Sequence, residues 1–593
     1  MPAPKPLTEE ERLKGLESSR LGMSVPNDVP MTPFMSEVYK RTGEKADDKW
    51  RLKRSSDVTE AEKWIDNITE SLLKQFNGPE QTDYDESLPV DAEQHYNVSC
   101  YRSWKKGVEL RDIRGDQEKE RIEVANMYKV SADGVDVYSL LQNNTVFQKA
   151  VLVVLNELPE VKANHDFKLV SQPFMNKDAN VTYPYWKNDR AIDPATGKTY
   201  GEMSVELAKK VGIAGVYDYN YATCYGRNQK GKGRLISALS RVPNVVFNQL
   251  EHEEIEAYKA KSPLFVGYGT DEDLRHAMEK MLADCKKYGL KARNVDQSKF
   301  DMHIARGFLL LVGAMSVYKA NGARSKELAF KRAVMMTKTW MFNGSTGQVY
   351  QAFGRIFSGE IDTNRGGGLV SAIINTFALM VQDDHYSKIV YEVWYRMFVM
   401  GDDCLFLYSD LDYKKFQKAM EDIGFSVNNS KDEFGLYFLS WRLFTTQDGK
   451  LSFSYPWTRV LRSMLYKEQA KGLGPYGWIL AAWQQLAKVR DYKPSLTILV
   501  NIIAYLDEKK LALDIPVGEL LQHVREEDAQ ALAKLKTQNA RSKFTSTADK
   551  LSDGDPQKQG WDDPDFLTRL QGEMKAVYDP DFFSKYHLTP LAP

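Results

Sequence analysis

The reading turns on Phe398-Val-Met-Gly-Asp-Asp-Cys-Leu-Phe-Leu-Tyr408. Apolar, β-type residues flank Gly401-Asp402-Asp403 on both sides. Two short strands buried in a core are therefore expected, with the carboxylates at a hairpin tip. Gly401 suits the tight turn because it reaches positive φ without steric cost. Adjacent carboxylates at such a tip offer hard oxygen donors to divalent cations. The plain alternative is a solvated turn, since Asp and Gly favour turns anyway. At average residue usage the triplet arises by accident in roughly one chain in ten of this length, so alone it decides little.

About one hundred residues upstream lies Val295-Asp-Gln-Ser-Lys-Phe-Asp301. Asp296 follows a turn-prone Arg-Asn and precedes a helix-like stretch. A strand ending at Asp296 is expected beside the 398–408 hairpin, bringing Asp296 against Asp402. Carboxylates from neighbouring strand ends are what two-metal phosphoryl transfer requires, with ions ~3.5–4 Å apart clamping the attacking and leaving oxygens. Between the two segments runs Phe357-Ser-Gly-Glu-Ile-Asp-Thr-Asn-Arg-Gly-Gly-Gly-Leu-Val-Ser-Ala-Ile-Ile-Asn375. A Ser-Gly loop and three glycines lead into an apolar helix expected from Leu369 to about Val381. The glycines would let another backbone approach, a template or an incoming nucleotide. A flexible loop capped by Thr363 or Asn364 is the alternative.

The fourth segment is Gly226-Arg-Asn-Gln-Lys-Gly-Lys-Gly-Arg-Leu-Ile-Ser-Ala-Leu-Ser-Arg241. From Tyr219 to Leu250 it carries Arg227, Lys230, Lys232, Arg234 and Arg241 and no acid. Glycine-interrupted Lys and Arg before a β-type run suit a loop that grips triphosphate oxygens. A solvated basic loop would look the same. The whole chain gives this cluster its weight: 593 residues carry 80 Lys and Arg against 81 Asp and Glu, a net charge of −1. Bulk positive charge is absent, so any nucleic-acid site has to be local. The length suggests about four core-sized units. A 42% hydrophobic and 11% aromatic composition excludes wholesale disorder. Cys100, Cys224, Cys285 and Cys404 form no CxxC pair, which argues against a zinc module or a disulfide framework. Neither a signal peptide nor an apolar run long enough for a membrane span is visible, and an intracellular protein is expected.

Taken in order, the four segments resemble the palm motifs of viral RNA-dependent RNA polymerases over roughly residues 225–445. Lys232-x-Arg234-Leu-Ile-x-Ala-x-Ser240 is similar to motif F, and Lys230, Lys232 and Arg234 are thereby implied to bind the incoming nucleotide. Asp296 and Asp301 match the aspartates of motif A, Ser358-Gly359 with Thr363 the core of motif B, and Gly401-Asp402-Asp403 motif C. Asp412–Phe425 resembles the motif D helix, with Lys431 in the loop beyond, and residues 437–444 stand where motif E does. The resemblance implies an α+β right-hand fold. The fingers would span 106–290, with 302–345 returning to them in part. The palm, an antiparallel sheet packed on helices, would take 291–301 and 346–445. A mainly helical thumb would follow at 446–540, with extensions at 1–105 and 541–593 closing the hand.

The same resemblance implies Mg²⁺, replaceable by Mn²⁺, held by Asp296, Asp402 and Asp403, and a general-acid role for Lys431. It implies an RNA template, a product duplex and NTPs as ligands, and a viral capsid protein as a candidate partner. The setting would be the virion interior or the host cytoplasm, and the subgroup that of picobirnaviruses or partitiviruses. One departure stands out. Many positive-strand polymerases have Asn four residues after the motif B Thr, where it senses the ribose 2′-OH, and here that position is Gly367. Asn364 and Asn375 are the nearest substitutes, and sugar discrimination would otherwise lean on Asp301, Ser358 and Thr363. A reverse transcriptase shares the two-metal palm but usually has an aromatic residue where Asp301 stands. A catalytically inactive RNA-binding scaffold is the non-enzymatic alternative. Seven basic residues against two acids between Arg459 and Lys493 suggest a surface that follows duplex phosphates. The aromatic tail, with Trp561, Phe566, Tyr578, Phe582, Phe583 and Tyr586, is expected to fold back on the body.

Overall fold

The computed structural model describes residues 60–77, 83–112, 135–175, 179–229, 232–343, 348–357, 362–383, 397–465, 485–486, 488–489, 491–508 and 577–589. Helical periodicity in the sequence also predicts helices over 477–489 and 517–538; the second lies outside the described residues, as does most of the first. In chain order the principal elements begin with helices α1 (Glu60–Asn77), α2 (Glu93–Asp112) and α3 (Thr145–Glu157). Strands β1 (Tyr221–Gln229) and β2 (Lys232–Leu239) precede α4 (Arg241–Lys261) and α5 (Asp271–Tyr288). Strand β3 (Lys291–Val295) leads to α6 (Arg306–Lys319), α7 (Ala323–Met336), β4 (Lys338–Asn343) and β5 (Gln348–Phe353). Then come α8 (Thr363–Gln382), β6 (Met397–Met400), β7 (Asp403–Tyr408) and α9 (Tyr413–Asp422). Strands β8 (Glu433–Phe434), β9 (Tyr437–Phe438), β10 (Trp441–Thr445) and β11 (Leu451–Ser454) follow, and α10 (Trp457–Leu465) and α11 (Lys493–Glu508) come after them.

Local chemistry accounts for the clearest boundaries. At α5, Thr270 and Asp273 form a reciprocal capping box, and Asp271, Glu272 and Asp273 crowd the positive first turn. Lys286 and Lys287 sit in the last turn, and Gly289 ends the helix at φ +66°. Ser240 caps α4 by accepting from the Val242 N–H.

Among the described residues the strands form three sheets in an α+β arrangement. One has the order β2-β1-β4-β5, one β6-β7-β3-β8, and one β11-β10-β9. All neighbouring strands are antiparallel except β1 and β4, which run parallel. The sheet of β6, β7 and β3 separates two hydrophobic cores, and its alternation explains the unbroken apolar runs. Val399, Cys404, Phe406 and Tyr408 face the core shared with α3, α4, α6 and α8. Phe398, Leu405, Leu407 and Ala292 face the core shared with α1, α10 and α11. A strand buried on both faces has to be apolar at every position, because successive side chains point to opposite sides.

Helix α8 starts six residues earlier than its apolar run suggests. Thr363 is already helical, so Gly366, Gly367 and Gly368 lie inside the helix rather than before it. The neighbouring backbone that Gly367 and Gly368 admit is that of Gly401. A Cβ on Gly367 would stand 3.5 Å from Gly401 Cα, and one on Gly368 3.6 Å from Gly401 N. Tertiary packing of the helix on the hairpin turn therefore overrides the poor helix propensity of three glycines.

The described residues of the terminal segments pack against the body. Trp64, Ile65, Ile68, Leu72 and Leu73 of α1 are buried, as their helical spacing predicts. Helix α2 runs without interruption through residues 105 and 106, where the N-terminal extension was expected to give way to the fingers, and it packs on α10 and β10. Residues 577–589 fold back on α1 and α11. The Trp64 ring stacks on Tyr505 at 4.8 Å and meets Phe583 at 5.9 Å, while its Nε1 donates to Thr589 O at 3.0 Å. The tail's Trp561 and Phe566 lie outside the described residues. Cys100, Cys285 and Cys404 are buried. Among the described residues no helix is long and apolar enough to cross a membrane.

Candidate active site

The site is built by strand pairing. Strand β3 pairs antiparallel with β7, Val295 opposite Cys404, so Asp296, one residue on, emerges beside the β6–β7 turn. Met400 and Asp403 are the last pair of that hairpin, leaving Gly401 (φ +59°) and Asp402 as a two-residue turn. Positive φ is what a hairpin of this length demands, and glycine meets it without strain. Asp402 is exposed and Asp403 half-buried. Asp403 Oδ1 accepts from Asn294 Nδ2 at 2.6 Å. Burial pushes the Asp403 carboxyl up to about 7; the Asn294 hydrogen bond opposes this, and the charges of Asp402 and Asp296 add to it. The three aspartates are thus electrostatic neighbours, as two strand ends and one turn require.

Asp296 Oδ2 pairs with Lys431 Nζ at 2.9 Å, both side chains partly exposed. The Lys431 loop is fixed from beneath. Asp432, fully buried, accepts from Arg293 Nη2 at 2.8 Å, from Tyr413 Oη at 2.5 Å and from the Asp296 N–H at 3.2 Å. The Arg293 guanidinium also lies 3.7 Å over the Tyr413 ring, a cation–π contact. The Asn428 N–H donates to Asp296 O at 2.9 Å, closing the loop on the strand end. Lys106 of α2 reaches the same neighbourhood. Lys106 is exposed at the surface, yet crowding by its neighbours and then the charge of Lys431 lower its pKa, and Asp296 opposes the shift.

The other expected site residues are placed unevenly. Asp301 lies on the short helix Phe300–His303, after Lys299 at φ +51°. Its carbonyl accepts from the Ile356 N–H at 3.2 Å, bringing the segment before α8 alongside. Thr363 is the first residue of α8, and its Oγ1 donates to Phe357 O instead of capping the helix. Lys232 and Arg234 are on β2, opposite Gln229 and Arg227. Lys230, Ser358 and Gly359 lie outside the described residues. Arg241, counted with the basic stretch, is buried against Asp189 at 3.3 Å and supports α4 instead of facing a ligand. Asn375 is also removed from the site: it is fully buried and donates to Ser371 O one turn earlier. Of the basic residues expected on a duplex-facing surface, Lys488 is buried over the Tyr455 ring and Arg462 donates to Ser103 O of α2 at 3.3 Å. Lys467, Lys471 and Arg490 lie outside the described residues.

Sequence reasoning missed Asn294, Asp432 and Lys106. Asn294 could have been found, because it is two residues before Asp296 and the strand period puts both on one face. Asp432 and Lys106 carry no such local signal.

Among the described residues no three His, Cys, Asp or Glu side chains stand together as a finished metal cage. The donor chemistry nonetheless fits a hard divalent cation. Asp296, Asp402 and Asp403 carry oxygen donors and repel one another, and Asp296 pairs with the Lys431 ammonium as counter-charge. A divalent ion would relieve the same repulsion.

Comparison with solved structures defines the fold class. The RNA-dependent RNA polymerase of a human picobirnavirus superposes with a TM-score of 0.56 over 89% of this chain and 94% of its own, at 14% sequence identity. An insertion-loop deletion mutant of the human picobirnavirus polymerase gives 0.48 over 76% and 91% at 15% identity, and the Sicinivirus 3Dpol RNA-dependent RNA polymerase gives 0.49 over 66% and 89% at 13%. No family profile and no curated protein matches the sequence. The chain has the fold of a viral RNA-dependent RNA polymerase, a statement that rests on the picobirnavirus enzyme with the TM-score of 0.56.

Proposed function

We propose that the protein synthesises RNA on an RNA template, transferring nucleotidyl groups from NTPs to an RNA 3′-OH during replication and transcription of a viral genome. The observation that carries this reading is the meeting of Asp296, Asp402 and Asp403 at one strand end and one hairpin turn, beside Lys431. The polymerase fold supports it. Asp296 and Asp402, with Asp403 behind them, are the residues to hold Mg²⁺ or Mn²⁺. Such ions, when bound, supply charge stabilisation at a reacting α-phosphate and acidify the attacking hydroxyl. Lys431, held close to Asp296 by the Asp432 anchor, would give a proton to departing pyrophosphate. Lys230, Lys232 and Arg234 would neutralise the triphosphate, Arg234 with a planar fork suited to phosphate oxygens. Asp301, Ser358, Gly359 and Thr363 would face the ribose. The virion interior or the host cytoplasm is where such a reaction would run.

Asp301 favours ribonucleotides over the reverse-transcriptase reading, because a carboxylate can accept from a 2′-OH that an aromatic ring would exclude. A non-catalytic RNA-binding scaffold would have no use for three mutually repelling carboxylates. The test is incorporation of radiolabelled NTPs on a defined single-stranded template with Mg²⁺ or Mn²⁺. Asp402→Asn should abolish incorporation with an unchanged melting temperature, and full retained activity would sink the assignment. Preference for dNTPs would point to a reverse transcriptase. No incorporation by folded protein on any template would point to the scaffold.

A further inference from the structure

Behind α8 lies a network of five buried charged residues with no part in the chemistry above. Arg365 Nε meets Glu251 at 3.0 Å and Glu254 at 3.1 Å, and its Nη2 meets Asp362 at 2.6 Å. Arg332 Nη1 meets the same two glutamates, each at 2.7 Å. Ser316 Oγ accepts from Arg365 at 2.9 Å and from Arg332 at 3.3 Å. None of the five charged side chains is more than 7% exposed. Four helices contribute: α4 with Glu251 and Glu254 on one face, α6 with Ser316, α7 with Arg332, and the start of α8 with Asp362 and Arg365.

Burying five charges is costly, and well-packed apolar residues of similar volume often give equal or greater stability. What such a network provides in return is one defined geometry, because each charge has to find its partners. Here the geometry is that of the first turn of α8. Asp362 directly precedes Thr363, and Gly367 and Gly368 of the same helix lie against Gly401 in the turn that bears Asp402.

We propose that Arg365, Asp362, Glu251, Glu254 and Arg332 act as a positioning unit for nucleotide selection. They lock the start of α8 to α4, α6 and α7, and so set Thr363 and the Gly401–Asp402 turn at a fixed separation around the ribose. The proposal rests on the polymerase reading and adds residues to it that touch neither substrate nor metal.

The test uses the full chain with Asp362→Asn, which keeps the shape of the side chain but removes its charge. It also uses Ser316→Ala, which removes two hydrogen bonds and no charge, so that one variant remains if the other fails to fold. On the reading above, both variants lose tenfold or more in the ratio of NTP to dNTP incorporation, with KM for NTP raised more than kcat is lowered. Trp64→Ala, a destabilising change at the distant terminal junction, keeps the wild-type ratio. Hydrogen exchange of amides 363–368 without substrate should speed up at least tenfold in Asp362→Asn. A ratio within twofold of wild type in both variants, with undiminished amide protection, overturns the proposal. Wild-type protein that incorporates neither NTP nor dNTP overturns the polymerase reading instead. In that case the exchange data alone decide whether the network holds α8.

Discussion

The Lys431–Asp296 pair puts two roles of one lysine in opposition, and replacing it by methionine separates them. The charged atoms are 2.9 Å apart with side chains 41% and 32% exposed, so water screens the pair heavily. Such pairs contribute about 0.5–1 kcal/mol. Lys431→Met should therefore move the melting temperature by less than about 3 °C. The ammonium also competes with a divalent cation for Asp296. Without that competitor the same 0.5–1 kcal/mol favours the ion, and its half-saturating concentration should fall about two- to fivefold. Thermal shift against Mn²⁺ concentration reads this directly and needs no turnover, since a bound ion stabilises the fold by mass action. Nucleotide incorporation should move the other way. If Lys431 supplies the proton to pyrophosphate, kcat falls about 10²–10⁴-fold. Lys431→Arg keeps the charge but holds its proton too tightly to give it up, so it should keep the wild-type ion requirement and still lose rate. An unchanged ion requirement together with wild-type kcat in Lys431→Met would refute both halves of the reasoning.

Other outcomes follow from the packing. Burial, then the charge of Arg442, brings His95 down to about 4 from an unfolded value near 6.5. Its folded pKa is depressed, so its full stability is present above pH 6.5 and is lost as pH falls towards 4, by about 3 kcal/mol. Urea denaturation at pH 7.5 and 4.5 should show that extra loss in wild type and not in His95→Gln. Asp271 has the opposite sign: burial pushes its carboxyl up to about 6, so stability is full below the unfolded value and is lost as pH rises through 6. Asp271→Asn should gain stability at pH 8 and none at pH 4. Gly366→Ala adds helix propensity of about 1 kcal/mol, yet its Cβ would stand 2.7 Å from Asp362 Oδ2, which Arg365 holds in place. Overpacking of about 1–3 kcal/mol should win, and a melting temperature above wild type would contradict this. Trp64→Ala should cost about 3–5 kcal/mol. Limited proteolysis should then cut the 577–589 segment before the body.

How legible the molecule was depended on the range of the interaction. The β6–β7 hairpin could be read from eleven consecutive residues, because strand period, turn glycine and paired carboxylates are all local. The α1 face is legible for the same reason. The start of α8 was not, because the three glycines argue against helix locally and only the approach of Gly401 explains them. Asn375 looked like a ribose sensor by its distance along the chain, and the helix turned it into the core. Lys488 and Arg462 looked like part of a phosphate-tracking surface, and packing turned them onto Tyr455 and α2.

The amino-acid order by itself determined that Asp402 sits at a strand tip, that Asp296 ends a strand and that basic residues gather at 227–241. These follow from dihedral preference, side-chain period and turn chemistry, which act within a few residues. Tertiary structure alone decided that Asn294 restrains Asp403, that Asp432 steadies the loop of Lys431, and that Lys106 of α2 shares their field. It also brought five charges, drawn from residues 251 to 365, into one buried network at the start of α8. Charge–charge and hydrogen-bond energies depend on distance and burial in space, and neither quantity exists until the chain has folded.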